Sequence, residues 1–201
     1  MAADDPEELA PDDARCVLLL VDVLNTLEFP GAESLLEPAL AMAERLAALK
    51  SACVDAGIPA IYANDNFGRW RSNADRLIET FLEEDVRGSP LIRRLMPDGD
   101  DYRVLKPMHS AFYASPLRLL LERLGVKNLI ITGLTTDRCV AFTATDAYMH
   151  DYQLFIPGDC CAAEQEDYHR ESLAMLERVT KAEVKPSTAL DLEALNARSE
   201  L

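Results

Sequence analysis

Short apolar runs of strand length alternate along this chain with longer stretches that carry apolar residues at helical spacing. Cys16 to Val23 (CVLLLVDV) is a continuous apolar run broken by one carboxylate, Asp22. A run of that length without polar alternation reads as a strand covered on both faces. From Glu33 to Ala56, Leu36, Leu40, Ala43, Leu46 and Leu49 recur at helical spacing, and Gly57 with Pro59 ends the pattern. Ile58 to Ala63 (IPAIYA) then supplies a second strand. Strand, helix and strand make a βαβ unit, so the two strands are expected to be parallel with a right-handed crossover.

The rest of the chain repeats the alternation. Asp75 to Glu84 reads as a short helix, Gly88 to Asp101 as irregular, and Tyr102 to Lys106 as a third strand. Ser115 is placed to cap a helix through Leu124, with Pro116 in its first turn and Gly125 closing it. Leu129 to Thr132, bounded by Gly133, is a fourth strand. It turns through LTTD into a helix on which Val140, Phe142, Thr143, Ala147 and Tyr148 can share one apolar side. Gln153 to Pro157 is a fifth strand, Glu166 to Thr180 an amphipathic helix with Leu173, Leu176 and Val179 inward, and Ala182 to Lys185 a short sixth strand. The predicted fold is α/β, a doubly wound and mostly parallel six-stranded sheet with helices on both faces. Residues 1–14, acidic and holding Pro6 and Pro11, read as a flexible tail. Residues 15–186 form one domain, and 187–201 a polar tail or short helix.

Composition narrows the partners. Of 201 residues 49% are hydrophobic and the formal charge is −15. That charge repels phosphate backbones and anionic lipid surfaces, so neither nucleic acid nor membrane is an expected partner. No stretch approaches the ~20 apolar residues of a membrane span, and the N-terminus is acidic where a leader would be basic, which makes the cytoplasm the expected compartment. Five cysteines at 16, 53, 139, 160 and 161 show no paired spacing for zinc and no even count for disulfides, so they read as reduced thiols. Cys16 and Cys53 sit in apolar runs and read as core; Cys160 and Cys161 follow a strand end. His109, His150 and His169 are scattered and read as surface or packing residues.

Three residues stand out chemically. Cys139 lies at a helix start, where unpaired N–H groups and the helix dipole favour an anion and ease ionisation of a thiol. Position alone favours a packed thiol, since free Cys is among the most buried residue types. Asp22 ends a buried strand, where a carboxylate needs a partner unless it caps a helix or turns to the surface. Lys106 ends the third strand, and lysines are ordinarily solvated. If all three strands are parallel, their carboxyl ends share one edge of the sheet, the edge at which such folds bind ligands. Asn64 to Asn73 (NDNFGRWRSN) follows the second strand with the only Trp and two Arg, as a pocket wall or as a lid on a neighbouring subunit.

The segment GLTTDRCVAFTATDA resembles the nucleophile turn of the isochorismatase-like cysteine hydrolases, which include nicotinamidases, carbamoylsarcosine amidohydrolases and ureidoacrylate hydrolases. Lys106 followed by PMHSAFY resembles the lysine segment of the same family, and the resemblance runs over about residues 16–185. It implies a Rossmann-like sheet of the isochorismatase type and a catalytic set of Asp22, Lys106 and Cys139. It also implies a cis Leu134–Thr135 peptide, an oxyanion hole from the Thr135 and Cys139 amides, and homo-oligomerisation. The implied activity is hydrolysis of an amide or carbamoyl C–N bond of a small molecule through a thioester. Two departures qualify it. Leu24 and Leu27 stand where the family has a Gln and an aromatic residue, and Asp65, Asn66 and Phe67 stand where the nicotinamidase branch has its Asp-x-His metal element. No metal and no cofactor are therefore expected. Candidate pocket residues are Leu27, Asp65, Phe67, Trp70, Phe112 and Arg138, with Arg69, Arg71 or Arg138 available to a substrate carboxylate. Isochorismatases proper lack the nucleophilic Cys, which tilts against vinyl-ether hydrolysis. A phosphatase of the haloacid-dehalogenase type would want a second Asp where Leu24 stands, and a non-catalytic interaction module is the other alternative.

Overall fold

The computed structural model describes residues 14–66, 68, 79 and 86–197. Its strands are β1 (Cys16–Val21), β2 (Ala60–Asp65), β3 (Tyr102–Lys106), β4 (Asn128–Leu134), β5 (Gln153–Phe155) and β6 (Cys161–Ala162). They form one sheet in the order β3-β2-β1-β4-β5, with β6 paired to β4, and every pairing is parallel. The described helices are α1 (Ala32–Asp55), α2 (Ser89–Arg94), α3 (Leu117–Leu124), α4 (Ala141–Met149), α5 (Glu166–Thr180) and α6 (Leu192–Asn196).

Both faces of the sheet are covered, which is why β1 is apolar at every position. Cys16, Leu18 and Leu20 join Leu35, Ala39, Met42 and Leu46 of α1 in one cluster. Val17, Leu19 and Val21 join Leu117 and Leu121 of α3, Ala144 and Ala147 of α4 and Leu176 of α5 in the other. Strand register decides the rest. Val21 lies opposite Ala63 and Gly133, and Asp65 opposite Lys106, so the carboxyl ends of four strands finish level with one another. Gly133 permits this: at φ +112, a Cβ there would lie 2.0 Å from the Val21 carbonyl oxygen. Only glycine lets β1 and β4 approach so closely at this edge.

Several elements differ from expectation. The sixth strand is Cys161–Ala162, while the segment Ala182 to Lys185 contributes only one bridge, Phe155 to Glu183. Pro157 on the continuation of β5 has no N–H to extend that ladder. Within the stretch read as irregular, α2 forms at Ser89 and buries Leu91 and Ile92. Phe142 and Tyr148 of α4 and Val179 of α5 are exposed; the small residues Ala144 and Ala147 pack against the sheet instead. The segment after residue 186 ends in α6, held to the core by paired amides. The Asn196 Oδ1 accepts the Cys16 N–H (3.2 Å), its Nδ2 donates to the Ala56 and Gly57 carbonyls, and Asn128 Nδ2 donates to the Leu195 carbonyl. Residues 1–13 and, apart from Glu79, the predicted helix at 75–84 lie outside the described residues. Among the described residues no helix is long and apolar enough to cross a membrane.

Candidate active site

Asp22 is the first residue beyond β1. Its N–H still bonds the Ala63 carbonyl (3.0 Å), and a φ of 52° turns the chain out of the sheet there. One carboxylate oxygen, Oδ1, accepts the Asp65 N–H at 2.7 Å; the other, Oδ2, pairs with Lys106 Nζ at 2.8 Å. Lys106 is fully buried. Its ammonium divides its donors among Asp22, the Met108 carbonyl (3.0 Å) and the Cys139 sulfur (3.6 Å), which uses all three N–H groups.

Cys139 sits on a π-helical turn, Thr136–Val140, that precedes α4. The turn follows a cis Leu134–Thr135 peptide. It is tied down by the Thr135 carbonyl, which accepts from the Arg138 and Val140 amides, and by Thr136 Oγ1, 2.8 Å from His169 Nδ1. Besides Lys106, the sulfur feels the charge of the Asp22 carboxylate and lies 3.5 Å from His109 Nδ1. The segment carrying His109 is fastened to α4: Ser110 Oγ donates to Asp146, and the Ala111 N–H to Thr143 Oγ1 at 3.0 Å.

Burial dominates the electrostatics. The Cys139 thiol is pushed up to about 12, first by loss of hydration and then by the Asp22 charge, with Lys106 opposing. Desolvation also raises Asp22, against the pull of Lys106. Burial pulls the Lys106 ammonium down, but Asp22 and Cys139 outweigh it and its pKa lies above the usual lysine range. The two partners of the ion pair thus point opposite ways, Lys106 reporting strong pairing and Asp22 poor solvation. Both directions hold: the pair survives while the carboxylate becomes a stronger base than a solvated one. The expectation that the helix start and the ammonium would lower the thiol's pKa is overturned, because stripping water from sulfur outweighs one N–H at 3.6 Å.

A cleft of about 230 Å³ opens over these groups. Asp22, Asp65, Leu134, Thr135, Arg138 and Cys139 border it, as do Asn25, Phe29, Leu35 and His109. Leu27 and Phe112 do not. Leu27 is wholly buried in the α1-side cluster, and the Phe112 ring packs on His150 and Tyr152 on the opposite side. Phe67, Arg69, Trp70 and Arg71 lie outside the described residues. Arg138, half exposed, already faces Glu164 (3.3 Å) and Asp137 (3.7 Å). The Thr135 hydroxyl is buried without a hydrogen-bond partner. Cys160 and Cys161 are buried in the core and take no part. Among the described residues no cluster of three His, Cys, Asp or Glu side chains is placed to hold a metal. A larger hollow of about 710 Å³ between α1 and α2, bordered by Glu37, Glu44, Arg93 and Arg94, has no thiol or hydroxyl among the described residues of its walls.

Asn25, Phe29, Leu35 and His109 escaped the sequence reading. The loop after β1 brings the first two over the sheet edge, and Gly88 packs so tightly beneath it that a Cβ there would fall 1.8 Å from the Asn25 carbonyl oxygen. The one available signal was that segments following strand ends face this edge.

The sequence profile of the isochorismatase domain matches residues 16–187. The chain belongs to the isochorismatase family. The uncharacterized isochorismatase family protein YaaI of Bacillus subtilis (strain 168) is 36% identical over 167 residues, which span 83% of this chain and 91% of YaaI. Ureidoacrylate amidohydrolase RutB of Methylobacterium radiotolerans is 30% identical, over 86% of this chain and 77% of RutB. Among solved structures, the isochorismatase family protein of Desulfovibrio vulgaris superposes with a TM-score of 0.72 at 23% identity, covering 89% of this chain and 97% of that one, and so shares the fold. Isochorismatase family members are hydrolases, amidohydrolases among them.

Proposed function

We propose that this isochorismatase family member is a cysteine hydrolase that cleaves an amide or carbamoyl C–N bond of a small molecule, with Cys139 as nucleophile. One observation carries the reading: a fully buried ammonium, Lys106, touches a carboxylate at 2.8 Å and a thiol at 3.6 Å at the floor of a cleft. Burying an ion pair beside a thiol has no structural advantage over apolar packing. The relationship to RutB supports the amide class.

The steps follow from the contacts. At rest the thiol is neutral and Asp22 and Lys106 are charged. As Sγ attacks the substrate carbonyl carbon, Asp22 takes the thiol proton, its raised proton affinity making it a better acceptor. Negative charge passes to the carbonyl oxygen, held by the Thr135 and Cys139 backbone N–H groups. Asp22 returns the proton to nitrogen as the C–N bond breaks, leaving a thioester on Cys139. A water then loses its proton to Asp22 and attacks the thioester carbon. The C–S bond breaks, the acid departs and the sulfur regains its proton. Lys106 stays protonated throughout and keeps the carboxylate and the developing thiolate in one place.

A screen for ammonia release from small linear amides and carbamoyl acids tests the proposal, with Cys139→Ser as control. Turnover by the wild type that the control lacks is the expected result; equal turnover by the control would remove the thioester.

A further inference from the structure

The sulfur of Cys139 has a third side-chain neighbour that the chemistry above leaves unused. Lys106 and Asp22 approach it from the buried interior, and Lys106 can spare only one N–H, at 3.6 Å, because its others are committed to Asp22 and Met108. On the outer side stands the exposed His109, with Nδ1 3.5 Å from Sγ. Its ring lies against Phe142 (centroids 5.5 Å apart, planes at 34°), and the next residues, Ser110 and Ala111, are bonded to α4. The imidazole is thereby held at the sulfur from the solvent side of the cleft it helps to line.

We infer that His109 is a further catalytic residue, whose Nδ1–H donates to the Cys139 sulfur and holds the thiolate on the side that Asp22 and Lys106 leave open. The inference rests on Cys139 being the nucleophile. A half-buried thiolate has lost much of its water and needs more than one donor to replace it. Either the imidazolium or the neutral ring protonated on Nδ1 supplies that donor. The alternative is a surface histidine that merely stacks on Phe142.

Two substitutions separate donor from shape. His109→Phe keeps an aromatic ring against Phe142 and removes the donor. His109→Asn removes the ring but places an amide N–H near the Nδ1 position. The readout is the rate of Cys139 alkylation by iodoacetamide at neutral pH, followed by peptide mass spectrometry, with the four other thiols as internal reporters of an intact fold. A hydrogen bond to a charged group in a partly wet site leads us to expect about a tenfold slower reaction for His109→Phe. His109→Asn is expected to stay within about threefold of the wild type. A His109→Phe protein as reactive as the wild type, or an Asn variant slowed as much as the Phe variant, overturns the donor role while leaving the nucleophile intact. Wild-type Cys139 reacting no faster than the other thiols would overturn the nucleophile as well.

Discussion

Replacing Lys106 by methionine tests the energetics of the buried pair most directly. Methionine keeps much of the stem's volume and deletes the charge together with the N–H donors to Asp22, Met108 and Cys139. At 2.8 Å the pair's Coulomb attraction is about 6 kcal/mol at an effective dielectric of ~20, and the desolvation of two ions consumes most of it. The net worth of the pair is therefore small, yet breaking it is not: an orphaned buried carboxylate typically costs about 3–5 kcal/mol. Asp22 has an escape, which is to bind a proton. Its pKa is already raised by burial, and loss of Lys106 removes the main force lowering it. The folded variant then holds a proton that the unfolded chain has released above the ordinary carboxyl pKa. Stability consequently falls as pH rises, by about 1.4 kcal/mol per unit, until the folded pKa is reached. Urea or thermal denaturation of Lys106→Met at pH 5 and pH 8 should show a deficit that grows with pH to about 3–5 kcal/mol. For a chain of this size that is about 6–20 °C in Tm. Adding Asp22→Asn removes the stranded charge and should recover most of the stability, while turnover stays absent in both proteins. The reasoning fails if the single variant matches the wild type at pH 8, or if the double variant is no more stable than the single.

Further expectations concern pH, packing and the chain's end. The kcat/KM of the wild type should fall as pH drops through the Asp22 pKa, at a pH above the 3.8 of a free carboxyl, because the protonated carboxyl cannot accept the thiol proton. No alkaline loss should come from Lys106, whose pKa lies above 10.5; a pH–rate profile with its acid limb at or below the ordinary carboxyl range would contradict this assignment. Gly133→Ala forces a methyl against the Val21 carbonyl at a left-handed φ, so a loss of about 3 kcal/mol or more is expected in urea unfolding, and a loss below 1 kcal/mol would mean the strands can part there. Asn196→Ala removes the acceptor for the Cys16 N–H and the donor to the Ala56 and Gly57 carbonyls; an unchanged urea midpoint, instead of the expected loss of about 1–2 kcal/mol, would show that α6 is not docked in solution.

The linear order of apolar runs and helical stretches was enough to establish the βαβ alternation, hence the parallel sheet, because the crossover geometry leaves few other solutions. It also placed Asp22 at the end of an unbroken apolar run and Lys106 at the end of the short strand YRVLK. What it did not contain was depth. Whether a ring faces in or out is decided by packing: Phe142 of α4 points outward, while Phe112, in the segment after β3, is buried against His150 and Tyr152. Ala182 to Lys185 has the composition of a strand, but only one pair of backbone bonds reaches β5, whereas two residues at Cys161 find the open flank of β4. The thiol followed the same logic: at the level of sequence a helix start and a lysine argue for easier ionisation, and only the folded chain reveals how much water the sulfur loses. His109, Asn25 and Phe29 lie far from Cys139 along the chain and carry no local signature, because what brings them to the cleft is the level ending of parallel strands and the loops that fold over that edge.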